Sequence, residues 1–138
     1  MRYLGLDLGS RTLGISVSDL SGTIASNYDV IRHNEEYDRL LLEVSKLVDE
    51  LKVNAIVLGF PKNMNNTIGP KGELSLDFKE RLEKIVNVPI YLQDERLSTK
   101  SATDMLISGN VSRKKRKKVV DSVAATIILQ TYLDRRDK

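Results

Sequence analysis

The stretch Tyr3-Leu4-Gly5-Leu6-Asp7-Leu8, continued by Gly9-Ser10-Arg11-Thr12-Leu13-Gly14 and Ile15-Ser16-Val17-Ser18, decides the fold. Its first six residues are a short apolar run broken only by Asp7, and such a run reads as a strand covered on both faces. Ile15 to Ser18 alternates apolar and polar with the period of two of a half-buried strand. Gly9 to Gly14 reads as the turn between them. After a second turn at Ser21-Gly22, Thr23 to Ile31 supplies a third strand. The chain thus opens as a β-meander.

Helical periodicity follows. Tyr37, Leu40, Leu41, Val44, Leu47, Val48 and Leu51 share one face, with Asn34 as the expected N-cap and Glu35 and Glu36 suited to the positive end of the dipole. Val53 to Phe60 is a buried strand ended by Pro61, and a polar loop runs from Lys62 to about Gly72. A helix over Leu76 to Val86, a strand over Pro89 to Gln93 and a helix from Ser98 or Thr99 through Leu106 come next. A basic run then leads into a final helix, Val119 to Leu133. This order predicts one α/β domain over residues 1–138. It holds a five-stranded mixed sheet, an antiparallel three-strand meander plus two parallel strands, flanked by helices with the first strand at the centre.

Composition narrows the function. The 138 residues include no Cys and a single His, which excludes disulfide scaffolds, zinc ribbons, iron–sulfur sites and thiol nucleophiles. The opening apolar run breaks at Asp7, so no signal peptide is expected, and no apolar stretch approaches the roughly 20 residues of a membrane span. The expected setting is the cytoplasm, away from membranes. The net charge of +3 is an average that conceals its distribution. Six cations form the unbroken run Arg113-Lys114-Lys115-Arg116-Lys117-Lys118, leaving 16 cations against 19 anions, a charge of −3, for the rest. Positive charge concentrated in one place points to a polyanion partner. The alternative is a solvated loop.

Three acids carry the candidate chemistry. Asp7 interrupts an apolar strand, where a carboxylate needs a metal, a cation or backbone donors; the alternative is a cap on the Gly9-Ser10 turn. Asp94-Glu95-Arg96 follows a strand end, where open α/β sheets place ligands, or is an acidic turn. Asp121 shares a helix face with Ala125 and Ile128, or is an acid favoured near a helix start. Converging carboxylates require a cation among them, and oxygen donors without His or Cys suit Mg²⁺ or Mn²⁺. Beside a polyanion grip, this combination points to phosphodiester hydrolysis. With five Tyr, two Phe and no Trp, base stacking is not expected to lead recognition. Gly9 to Gly14 has the spacing of a phosphate loop but lacks the Lys-Ser/Thr that follows one. His33, in a polar stretch, reads as a surface residue.

These residues bring out a resemblance. Gly5 to Gly14, Gly59-Phe60-Pro61-Lys62-Asn63-Met64, Asp94-Glu95-Arg96-Leu97-Ser98-Thr99 and Asp121-Ser122-Val123-Ala124-Ala125 together resemble the YqgF/RuvX family of bacterial RNase H-like nucleases, over nearly the whole chain. The resemblance implies an RNase H-like fold and either 5′-end processing of the small-subunit (pre-16S) ribosomal RNA precursor or resolution of Holliday junctions. It makes Asp7, Glu95 and Asp121 the catalytic, metal-binding carboxylates. Arg113 to Lys118 then grip the phosphate backbone, with Arg11, Lys62, Asn63 and Arg96 as further nucleic-acid contacts. Unlike RuvC-type resolvases, the Gly59-Phe60-Pro61 strand end offers no acid, and Ala124 stands where a second acid would follow Asp121. The expected partner is an rRNA precursor, with branched DNA the alternative, bound by a monomer or weak homodimer. Two rivals remain: a nucleic-acid-binding factor without turnover, and an actin/Hsp70-type ATPase, which needs two such lobes.

Overall fold

Five strands and three helices follow one another in the computed structural model, which describes residues 1–9, 11–61, 69–94 and 113–136, with side chains in the last segment from Val123 onward. They are β1 (Tyr3–Leu8), β2 (Thr12–Ser18), β3 (Ala25–Arg32), α1 (Tyr37–Glu50), β4 (Ala55–Phe60), α2 (Pro70–Glu83), β5 (Ile90–Asp94) and α3 (Arg113–Arg136). The sheet order is β3-β2-β1-β4-β5. β1 pairs antiparallel with β2 and parallel with β4, and β5 adds in parallel to β4. The mixed sheet and the central place of β1 are as the sequence predicts.

Alternation along β1 divides the core. Leu4, Leu6 and Leu8 join Leu13, Ile15, Ile56, Leu58 and the buried faces of α1 and α2. On the opposite face Tyr3 packs with Ala55, Val57 and the α3 residues Ile128, Leu129 and Leu133. Each side chain fully buried in this way contributes about 1.5–3 kcal/mol.

Several boundaries differ from expectation, each for a local reason. β2 begins at Thr12 rather than Ile15, because the Gly9 N–H bonds the Thr12 carbonyl at 2.8 Å and closes the turn early. α1 is preceded by Glu36, not capped by Asn34; Glu35 takes a left-handed φ of 58°, and the Asn34 side chain instead accepts a bond from Arg11. α2 starts at Pro70, well before Leu76, since proline suits the first helical turn, where no amide donor is needed. α3 starts at Arg113, so the basic run occupies its first turns rather than leading into it. The helix expected between Ser98 and Leu106, and most of the loop from Lys62, lie outside the described residues.

The seat of α3 on the sheet is unusually close. A Cβ added to Gly5 would stand 2.7 Å from Leu129 Cβ and 3.2 Å from the Ala125 carbonyl oxygen, and would collide with Ser16 Oγ. Ser16, opposite Gly5 in the β1–β2 register, is fully buried and donates its hydroxyl to the Ala125 carbonyl at 2.8 Å. A glycine and a serine side by side thus let the helix backbone approach and bond to the sheet. At the other end of β2, the turn to β3 is organised by Asp19. The Ser21 hydroxyl and the Thr23 and Ile24 amides donate to its carboxylate, holding it at about 2, down from the usual 3.8.

Gly5→Ala is expected to destabilise the protein by about 1–3 kcal/mol through overpacking, seen as a lower denaturation midpoint in urea. Because the Asp19 acidity is raised by folding, its stabilising contribution is present above pH 3.8 and lost as pH falls toward 2. The stability difference between wild type and Asp19→Ala should therefore be full at pH 6 and shrink in acid.

Candidate functional site

The face of the sheet beneath α3 carries the polar positions. Along β1, Tyr3, Gly5 and Asp7 alternate onto this face; on β2, Gly14 and Ser16 do so. Asp7, half-buried, pairs with Gly14 on β2. On β4 the register runs Leu6 to Leu58, so the next position beside Asp7 is Gly59. Gly59 in turn pairs with Gln93 of β5. The row across the sheet reads Gly14, Asp7, Gly59, Gln93. With glycine on both sides, no side chain rises beside the Asp7 carboxylate from either adjoining strand. Sequence reading found the aspartate but not its glycine flanks, because a flank across a sheet is visible only once the register is known.

α3 runs antiparallel to β1 above this face. Leu133 packs near Tyr3, and Leu129 and Ala125 sit over Gly5. Asp121 lies four residues before Ala125, about 6 Å back along the helix. That is close to the distance of about 6.6 Å from Gly5 to Asp7 along the strand. The backbone of α3 at Asp121 therefore falls at the level of Asp7; its side chain lies outside what the structure describes. β5 ends at Asp94, opposite Phe60, and Glu95 is the next residue of the chain. Glu95, Arg96, Lys62 and Asn63 lie outside the described residues. Arg113 to Lys118 are placed only by backbone, in the first turns of α3. Among the described residues, no three His, Asp or Glu side chains gather as a metal site, and no helix is long and apolar enough to cross a membrane.

The turn after Asp7 is held from one side by a residue misread in the sequence. His33 is buried, not on the surface. Its Nε2–H donates to the Gly9 carbonyl at 2.9 Å, its backbone N–H donates to the Arg11 carbonyl at 2.9 Å, and its ring meets Tyr37 edge-on. Nδ1 is buried with no partner among the described residues. Because a carbonyl can only accept, this bond places a proton on Nε2. A polar sequence context hid this burial, because the groups that meet His33 come from the β1–β2 turn and from α1. Arg11 itself is exposed at the same turn and donates to Asn34 Oδ1 at 2.5 Å.

Comparison with known proteins gives a family. A family model described as "RuvX: Holliday junction resolvase" matches residues 1–135. The chain is 53% identical over 135 residues to the protein of Bacillus subtilis (strain 168) named "Putative pre-16S rRNA nuclease", covering 97% of this chain and 98% of that one. A Geobacillus sp. (strain WCH70) protein of the same name is 51% identical over 135 residues, at 97% and 98% coverage. Among solved structures, "T. thermophilus RuvC in complex with Holliday junction substrate" aligns with a TM-score of 0.63 at 17% identity, over 99% of this chain and 95% of that one. "Crystal structure of Fowlpox virus resolvase and substrate Holliday junction DNA complex" aligns with a TM-score of 0.59 at 11% identity, covering both chains fully. At such identities the likeness is one of fold, and that fold is RNase H-like.

His33→Phe keeps an aromatic ring, slightly larger than imidazole, but leaves the Gly9 carbonyl without its donor. It is expected to cost about 1–3 kcal/mol in urea unfolding and to speed amide hydrogen exchange at Thr12 and nearby turn positions.

Proposed function

The chain belongs to the RuvX family, and from that membership together with the setting of Asp7 we propose that it is a divalent-metal-dependent nuclease that trims the 5′ end of pre-16S rRNA during ribosome biogenesis. The observation that carries the reading is a carboxylate on the central strand, flanked by glycine in both neighbouring strands, under the helix that brings Asp121 to its level. The substrate choice draws support from the names of relatives that share about half of their residues with this chain over nearly full length.

The donor chemistry fits Mg²⁺ or Mn²⁺. Asp7, Glu95 and Asp121 offer only hard oxygen ligands, and glycine stands beside Asp7 in both adjoining strands. Such an ion, when bound, would lower the pKa of an attacking water and stabilise the leaving oxygen. The protein's own contributions are positional. Asp7 is held by the sheet, and its orientation follows from the rigid β1–β2 pairing and from the turn that His33 fastens. Arg113 to Lys118 bind phosphates without regard to sequence, at the end of α3 nearer Asp7. Arg11, exposed beside the turn, orients a backbone phosphate, with Lys62, Asn63 and Arg96 adding contacts from their loops.

The test is a cleavage assay on a pre-16S transcript with Mg²⁺ or Mn²⁺, set beside a four-way DNA junction. Asp7→Asn is expected to lose at least about 100-fold in cleavage rate, more than loss of an outer-shell partner costs a metal site, while keeping its affinity for the transcript in EDTA. A variant that cleaves as fast as wild type overturns the carboxylate mechanism. Cleavage of the junction alone moves the substrate to branched DNA.

A further inference from the structure

Three of the five tyrosines gather between α3 and the β1-to-β5 side of the sheet, although they lie far apart in the chain. Tyr91 of β5 stacks on Tyr132 of α3 with ring centroids 5.5 Å apart and planes 16° from parallel. Tyr3 of β1 meets the same Tyr132 ring at 5.8 Å and 55°. Arg136 lies 5.1 Å over the Tyr3 ring and donates to the Gly22 carbonyl. Beside the stack is an open groove of ≈ 260 Å³ lined by Leu92, Gln93, Tyr132, Arg135 and Arg136. Its lining holds two arginines and no acid. Arg135 reaches across it to Gln93 Oε1 at 3.3 Å.

We propose that this face is a binding subsite for single-stranded nucleic acid, with a base stacked on Tyr91 and the adjoining phosphate held by Arg135. Packing alone does not account for Tyr91. One face of its ring is spent on Tyr132, yet the residue remains 41% exposed on an edge strand, where a large ring facing water covers no core. An exposed, pre-stacked aromatic beside cations is the arrangement that accepts a base and its phosphate, since every base has a π-face and no hydrogen-bond code is needed. The groove also lies in line with the proposed cleavage site. Gln93, in its lining, stands in the same row as Asp7 with only Gly59 between, about 10 Å away at two strand spacings. Within the strands of the sheet, Gly59 alone stands between Asp7 and Gln93, whose Oε1 accepts from Arg135.

The inference rests on the nuclease reading for its purpose but not for its test. Binding of a fluorescein-labelled 12-nucleotide single-stranded RNA to the full chain is followed by anisotropy in EDTA, next to a blunt duplex of the same length. Tyr91→Ala is expected to weaken the single strand about 5- to 100-fold and leave the duplex unchanged. Tyr91→Phe keeps the ring and should bind as wild type does. Arg135→Gln should weaken binding and lower the salt slope by about 0.7, the value for one phosphate contact on a single strand. Wild-type affinity in Tyr91→Ala assigns the face to packing or to a protein partner and overturns the proposal; equal loss on both probes, with a lowered melting temperature, also overturns it. Because no metal is present, a chain that binds through Tyr91 yet never cleaves retains this subsite and removes only the nuclease reading.

Discussion

The bond from the buried Ser16 hydroxyl to the Ala125 carbonyl, made beside a glycine that leaves room for it, is the constraint on which the rest of the molecule depends. It sets how closely α3 lies on the sheet and fixes its position along β1. A bulkier residue at position 5 lifts the helix; a shift of one turn moves its N-terminal half away from the Asp7 end. The level of Asp121, the packing of Leu129 and Leu133, and the meeting of Tyr132 with Tyr3 and Tyr91 are all consequences of that single seat.

The sheet divides its labour between two faces. Toward α1 and α2 it is closed by leucine, isoleucine, valine and phenylalanine, and its residues there are among the most fully buried in the protein. Toward α3 it is apolar only near the β1 start, where Tyr3, Ala55 and Val57 lie. Toward the β1 end it gives way to Gly14, Asp7, Gly59 and Gln93. The change from apolar to polar along one strand is what allows a helix to be anchored at one end while leaving the Asp7 carboxylate near the other. Stability and the proposed chemistry are separated by about two residues of β1.

The strands were legible because burial leaves periodic traces: β1 and β4 as apolar runs, β2 as alternation, with β1 correctly expected at the centre. Asp7 was legible for the complementary reason, as a charge where the pattern forbids one. What escaped lay in groups that meet across elements. His33 sits among polar neighbours in sequence and is met by the β1–β2 turn and by Tyr37 of α1. Gly14 and Gly59 flank Asp7 only through register, and the tyrosines at 3, 91 and 132 are a cluster in space while being sparse in composition. Helix starts were misjudged where proline or backbone geometry, rather than a side-chain cap, begins the helix, as at Pro70 and Glu36. Glu95, Arg96, Lys62 and Asn63 fall outside the described residues.

The contact between Ser16 and Ala125 also spans 109 residues of chain. Pairing within the meander closes only short turns, whereas seating α3 must offset the entropy of one very long loop. Local pairing therefore favours the half that carries Asp7 forming early, and the helix above it docking late. That order leaves the row around Asp7 uncovered until the helix docks over it. Any capacity residing there is gained in one step, when the far end of the chain arrives, and a partly folded chain holds its strands without it.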